Sequence, residues 1–410
     1  MIEAIEIRNF KSLADLYLPL QKFNCLIGMN GAGKSTLLQA MDFLSQQMHG
    51  EIEAWLDARG WEAKDLYSRT GDSRAAHQGV TLLVDFRLPD QRLLHWGGSF
   101  NRASLKCTVE RIWLDGEKTP LLDVKKEHYR IGERAAEPVA FRYQGSILSQ
   151  LEDKVLPDEI RQLRDAIRDM RSLELLSPHL LRKRSRSQDR DIGAGGEKLS
   201  GYLDTIKGAD KAALLALLKT FYPRLADFRV ASSKGGWKRL LVTETVYNDV
   251  LPHPELAGTV ETDANQLNDG LLRILAILAQ ASSGKASLLL LDEVENGINP
   301  EIVEKLVDTL VASPMQILVT THSPMILNYL DDETARASVQ FVYKSPSGQT
   351  RARRFFELPG VADKLAYMGP GEAFVDTNLA ALTDRCVELD MEDAFAANRA
   401  AMQPPAAEAQ

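Results

Sequence analysis

The stretch Gly28-Met-Asn-Gly-Ala-Gly-Lys-Ser-Thr36 decides how the rest of the chain is read. It follows the apolar run Phe23 to Ile27, precedes the helical pattern Thr36 to Leu44, and fits GxxxxGK(S/T). Glycines in such a loop let successive backbone N–H groups turn inward around phosphate oxygens. A helix that starts there points the positive end of its dipole at the same anion. Asn30, Gly31, Ala32, Gly33 and Thr36 are therefore expected to line a phosphate cradle. Lys34 would reach the β- and γ-phosphates of ATP, and Ser35 would hold Mg²⁺ through its hydroxyl. A strand before and a helix after are what separate this Walker A loop from a mere glycine-rich turn.

Downstream, Leu288-Leu-Leu-Leu-Asp-Glu293 supplies the partner. Four leucines in a row read as a strand buried on both faces of a parallel sheet, whose carboxyl edge is where doubly wound folds place ligands. Two adjacent carboxylates at the end of such a strand are costly unless a cation or nucleotide compensates. Asp292 is thus assigned to Mg²⁺ and its water shell, and Glu293 to polarising the attacking water. Before this strand, Asn268-Asp269-Gly270 caps an amphipathic helix with the stripe Leu271, Ile274, Leu275, Leu278. After it, Asn299 and Pro300 open a helix with an Ile302, Val303, Leu306, Val307, Leu310 face, and Gln316 to Thr320 forms another buried strand leading to His322.

The remainder bounds the class. With 410 residues, 44% hydrophobic and 26% charged, the chain can bury a large core of ordinary globular composition. No apolar run reaches membrane-spanning length and the N-terminus reads as a strand, so no membrane partner and a cytoplasmic location are expected. Cys25, Cys107 and Cys386 are too far apart in sequence to suggest a disulfide framework or a zinc site. The net charge of −8 argues against a uniformly basic nucleic-acid binder.

Met1 to Ile7 alternates apolar and charged residues as a half-covered strand does, a polar turn Arg8-Asn-Phe-Lys-Ser12 follows, and Leu16 to Leu20 resumes a strand. Glu51 to Arg69 reads as helical with a break at Gly60, its tryptophans as packing anchors. From Val80 to Val124 the texture is antiparallel β, with Asp115-Gly116 as a tight turn. Residues 149–225 read as an inserted helical lobe without long heptads, which excludes an extended coiled coil. Within it, the basic, glycine-rich stretch 182–196 carries Arg182, Lys183, Arg184, Arg186 and Arg190. It is either a mobile grip for the phosphates of DNA or RNA or a solvated loop.

In order and spacing these elements resemble the ATP-binding-cassette heads of the RecF, SMC and OLD type, which open with a similar "NFKS" stretch and in this branch carry phrases like "DEVENGINP" and "TTHSP". The resemblance covers Met1 to about Leu330. It implies an α/β P-loop NTPase of ABC-ATPase head type: a mixed β-sheet core, an antiparallel β-lobe and an inserted helical lobe. The expected organisation is an N-terminal ATPase lobe (1–148), the helical lobe (149–225), a C-terminal ATPase lobe (226–360) and a terminal helix with a disordered tail (361–410).

The same resemblance implies site roles. Arg8, Asn9 and Lys11 become candidate nucleotide contacts, against the alternative of a solvated turn. Gln144, at the junction of β-lobe and helical lobe, becomes a candidate for Mg²⁺ and the attacking water. Asn268, Asp269 and Gly270 stand where the family has its signature motif, which binds the γ-phosphate held by the opposite subunit; Asn268 replaces the usual serine. Val294 to Pro300 is the D-loop and His322 the switch histidine. Head-to-tail homodimers or higher homo-oligomers follow, as does a role regulating a separate effector, a nuclease or toxin, as in anti-phage modules such as Septu and PARIS. A RecF-like DNA repair ATPase and an ATP-gated scaffold that scarcely turns over are the alternatives. OLD nucleases add a Toprim domain of roughly a hundred residues; the stretch after the histidine is too short for one, and Glu388 to Asp393 reads as a solvated helix face, so no nuclease is expected here.

Overall fold

The structure is a computed structural model that describes residues 1–69, 79–186, 191–247, 258–282, 284 and 286–402. Its centre is a six-stranded sheet in the order Arg171–Ser172, Leu288–Leu291, Gln316–Thr320, Phe23–Ile27, Val339–Lys344, Thr350–Arg354. The first five strands run parallel; the last returns antiparallel to its neighbour. Burial on both faces explains the unbroken apolar strings. Leu288 and Leu290 join one hydrophobic core, Leu289 and Leu291 the other, as the two-residue period of a strand requires.

One core lies between this sheet and an eight-stranded antiparallel sheet, ordered Leu13–Pro19, Ile2–Phe10, Val80–Arg87, Leu93–Asn101, Lys106–Leu114, Leu122–Lys125, His128–Ile131, Glu137–Pro138. The opening hairpin pairs Ile2–Phe10 with Leu13–Pro19, as two strands around a polar turn were expected to. It belongs to this antiparallel sheet, where Ile2, Ile5 and Ile7 are covered while the strand's other face carries Glu6 and Arg8. The Walker A helix, Lys34–His49, fills the same core with Leu37, Leu38, Met41, Phe43 and Leu44. Trp55 and Trp61 meet edge to face, and Trp55 donates its indole N–H to Asp42 at 2.7 Å, as packing anchors do.

The second core holds the helices Gly208–Phe221 and Asp269–Ala281, with Leu225–Ser232, Lys238–Val246 and Gly258–Asp263 as a three-stranded antiparallel sheet. The inserted region at 149–225 does more than add helices, since its Arg171–Ser172 forms the edge of the central sheet beside Leu288–Leu291. The helix Leu379–Met402 closes the chain's described part. Its acidic stretch is not simply a solvated face. Asp390 accepts from Tyr343 Oη at 2.8 Å and from Arg353 Nη2 at 2.7 Å, and so fastens the helix to the sheet's last two strands. The end of the expected disordered tail, 403–410, and Arg190 of the basic stretch lie outside the described residues. Among the described residues no helix is long and apolar enough to cross a membrane, and all three cysteines are buried thiols.

Candidate nucleotide-binding and hydrolysis site

The Walker A loop emerges from Ile27 and turns into the helix at Lys34 with Gly33 as cap residue at φ 111° and no side chain bonded to the helix's first N–H groups. No acidic residue sits in the first turn. A 16-residue helix whose first N–H groups carry no side-chain cap and whose first turn holds no acidic residue is suited to take phosphate. The loop is braced from behind. Thr350 Oγ1 donates to Ala32 O at 2.9 Å and lies 2.8 Å from Ser12 Oγ, while Lys344 Nζ donates to Thr350 Oγ1 at 2.9 Å. A Cβ on Gly33 would sit 2.1 Å from Thr350 Oγ1, so glycine is needed there for space as well as for φ.

Lys34 is buried and donates to Gly28 O and Met29 O at 2.9 and 3.3 Å. Burial pulls its ammonium below the ordinary lysine range, and Asp292, Glu293 and Glu295 pull it back up. Ser35 Oγ donates to Asp292 Oδ2 at 2.8 Å. The two residues chosen from sequence for Mg²⁺ thus meet, although their strands are separated by Gln316–Thr320. A hydroxyl and a carboxylate are the hard oxygen donors this ion takes, so the residues fit it.

The strand between them contributes a residue the sequence reading passed over. Fully buried Thr320 donates its hydroxyl to Asp292 Oδ1 at 2.5 Å and accepts Glu293 N–H at 2.9 Å. Glu293 has φ 44°, a left-handed conformation rare for a side chain of its kind, and its carboxylate accepts from Asn296 Nδ2 at 3.2 Å. His322 follows Thr320 by two residues and is exposed; its backbone N–H donates to Glu295 Oε1 at 3.0 Å. The signal for Thr320 was present in "TTHSP", as a hydroxyl at the end of an otherwise apolar strand.

The helix Asp269–Ala281 starts beside this cluster. Asn268 Oδ1 accepts Leu271 N–H at 2.7 Å, so its amide oxygen is spent on the cap and Nδ2 is the donor its side chain has left. Gly270 abuts the D-loop; a Cβ there would lie 2.9 Å from Gly297 O. Arg273, one turn on, is buried, with Cδ against Gly297. Burial lowers its guanidinium's pKa, opposed first by Glu293 and Glu295. Among the described residues, Arg273 Nε and Glu295 Oε2 are buried without a hydrogen-bond partner.

One expected contact is not brought to the loop. Gln144 accepts from Glu53 N–H at 3.0 Å and lies by Gly50, at the far end of the Walker A helix. Sixteen residues at 1.5 Å each put about 24 Å between the ends, so Gln144 is no Mg²⁺ ligand in this arrangement. The chain leaving the antiparallel lobe returns to the helix's C-terminus before it reaches the central sheet. The segment that lies beside Walker B is Arg171 to Glu174 instead. Arg8 pairs with Glu6 and Asp15, and Asn9, at φ 62°, accepts from Ser68 N–H at 3.2 Å. Of that turn, Lys11 reaches Gln39 of the Walker A helix at 2.9 Å while lying over the Trp61 ring, and Ser12 joins the Thr350 brace.

A phosphate loop at the carboxyl edge of a parallel sheet, facing a Walker B aspartate bonded to the loop serine, defines a P-loop nucleotide-binding protein. The chain belongs to the family described as AAA domain, putative AbiEii toxin, Type IV TA system, which matches residues 23–328. It is similar to an OLD nuclease of Thermus scotoductus (strain ATCC 700910 / SA-01), at 29% identity over 110 residues, covering 27% of this chain and 18% of that protein. The chain thus matches less than a fifth of that relative's length. Among solved structures it is similar to the SmcHead bound to the C-winged helix domain of ScpA, at 15% identity and TM-score 0.49, covering 86% of this chain and 96% of that one. The SMC head domain from Thermotoga maritima gives 11% and 0.47, covering 86% and 98%.

Proposed function

We propose that this chain is a Mg²⁺-dependent ATPase that closes head-to-tail into a dimer around two ATP molecules and reopens on hydrolysis. The observation that carries the reading is the Ser35–Asp292–Thr320–Glu293 chain of hydrogen bonds, which joins the phosphate loop to the backbone N–H of the residue assigned as base. Lys34 and the free N–H groups of the helix start would bind the phosphates, and Glu293 would orient the attacking water and take its proton. Mg²⁺, held by Ser35 and Asp292, supplies charge neutralisation at the phosphates when bound. His322 and the opposite subunit's signature motif would complete the site around the γ-phosphate.

The use we propose for this cycle is to restrain or release a separate effector, a nuclease or toxin, in anti-phage defence. The likeness to an OLD nuclease and the family's description support it at the level of fold analogy. The basic segment is a weaker candidate for gripping DNA or RNA than its composition suggests, because Arg182 is committed to Asp269 and Arg186 lies over the Trp237 ring.

Steady-state ATP hydrolysis tests the enzymatic reading, with Lys34→Ala as blank. Wild type is expected to exceed the blank, and Glu293→Gln to trap an ATP-loaded dimer visible by size exclusion. Wild-type turnover no greater than the blank would sink it. Stimulation by DNA or RNA would instead favour a nucleic-acid-driven machine. Equal phage plaque counts with wild type and Glu293→Gln would remove the defence role.

A further inference from the structure

The signature helix opens with an acidic residue. Asp269 is its first residue, 53% exposed at the side chain, at the helix end where the dimer proposed above would dock the partner's γ-phosphate. A carboxylate and a phosphate at one helix N-terminus repel each other. What answers that repulsion comes from a different part of the chain. Arg182 Nη2 donates to Asp269 Oδ1 at 2.5 Å and to Leu267 O at 2.6 Å, bracing one side of the cap with a single guanidinium.

Arg182 is delivered there by structure on both sides. Leu181, the residue before it, is fully buried in the same core as Leu271 and Ile274 of the signature helix. Three residues further on, Ser185 exchanges two backbone hydrogen bonds with Lys238, at 3.2 and 2.7 Å. The part of the basic stretch from Arg182 to Ser185 is therefore anchored at both ends, where the sequence offered a mobile grip or a solvated loop. Arg182 is also the least free of its charges, with its side chain 23% exposed.

We propose that Arg182 is a positioning residue that neutralises Asp269 and holds its carboxylate to the side of the signature helix, making an acidic signature compatible with a γ-phosphate docked in trans. The inference rests on the dimer reading above. Its distinctive consequence is that Arg182 is needed only while residue 269 is acidic.

The test is a double-mutant cycle on the full chain: wild type, Arg182→Gln, Asp269→Asn and the double variant, read as kcat/KM for ATP. Gln keeps part of the arginine's stem, and thermal melting checks that each variant folds. Removing Arg182 is expected to lower kcat/KM on the order of tenfold in the wild-type background and less than about twofold in the Asp269→Asn background. The deficit in the acidic background should shrink as salt rises, since a screened repulsion causes it. Equal losses in both backgrounds would make Arg182 a packing residue and overturn the proposal, as would no loss in either. If wild type does not exceed the Lys34→Ala blank, hydrolysis is the reading that fails. The same cycle is then read as ATP-driven self-association by sedimentation, where the same background dependence supports the shield. Absence of ATP-driven self-association in wild type overturns it.

Discussion

Replacing Thr320 by valine keeps the shape of a fully buried side chain and deletes one hydroxyl. That hydroxyl both donates to Asp292 and accepts the backbone N–H of Glu293. A hydrogen bond to a charged acceptor contributes about 1.5–3 kcal/mol, and leaving an N–H without a partner costs about 1–3 kcal/mol. These terms overlap, because both act on one pair of adjacent residues. The left-handed backbone of Glu293, at φ 44°, adds about 1–2 kcal/mol of strain that the hydroxyl helps to hold in place. A net loss of about 2–3 kcal/mol in the arrangement that presents Glu293 lowers turnover about 30- to 150-fold. That stays within the about 10²–10⁴ a positioned general base contributes. Lys34 makes no hydrogen bond to Thr320, so ATP binding should fall much less than turnover, any loss coming through Asp292 and Ser35. The assay pairs single-turnover hydrolysis with equilibrium nucleotide binding, with Thr320→Ser as the variant that restores the hydroxyl. Wild-type turnover in Thr320→Val, or a loss shared equally by binding and turnover, would refute the claim that Thr320 aims the base.

Gly270→Ala should lower turnover while sparing nucleotide binding by the lone chain, because its Cβ would press to 2.9 Å on Gly297 O, a backbone atom that cannot swing aside; comparing kcat with ATP affinity checks it. Asp390→Asn should cost about 1–2 kcal/mol, because Arg353 loses one charged acceptor but keeps Asp393. Hydrogen exchange across Leu379–Met402 should rise first if that contact is what fastens the helix. Glu174 supplies a pH dependence. Burial raises its pKa from 4.5 to about 7, against the pull of Arg59 2.6 Å away. A carboxyl raised in the folded state contributes stability that is full below its unfolded pKa of about 4.5 and lost as pH rises through about 7. Up to about 3 kcal/mol should therefore disappear between pH 5 and 8, and Glu174→Gln should flatten that slope. Urea midpoints at the two pH values decide, and parallel wild-type and variant profiles would contradict it.

What the sequence made legible were groups whose partners are neighbours in the chain or whose chemistry is unusual for their strand. Asn268 and Asn299 cap helices two or three residues away, accepting from Leu271 and Glu301 N–H as their spacing predicts. Asp292 stood out because a buried leucine strand should not end in charge without a reason. Thr320, Thr350 and Asp390 were illegible for the opposite cause. Each is an ordinary residue made important by a partner far away in sequence, Thr350 bonding to Ala32 O across 318 positions. Gln144 shows the reverse failure. It was assigned from its order along the chain, and order does not say at which end of a 16-residue helix a returning segment lands.

The same distinction governs how a signal could pass through the site. Gly270 and Arg273 of the signature helix both rest on Gly297, and Gly297 closes a turn in which Asn296 N–H bonds back to Glu293 O at 2.9 Å. Glu295, inside that turn, holds the backbone of His322, whose strand carries the Thr320 hydroxyl on Glu293 N–H. The helix Asp269–Ala281, the turn Glu293 to Gly297 and the strand end Thr320 to His322 are therefore linked in series within a single chain. A Cβ added at Gly270 would lie 2.9 Å from Gly297 O, so the bare glycine is what lets the helix start rest on the turn that follows Glu293. In the dimer proposed above, a phosphate docked from the partner on the Asp269–Ala281 helix would act, through Gly297, on the turn that carries Glu293 of the chain receiving it.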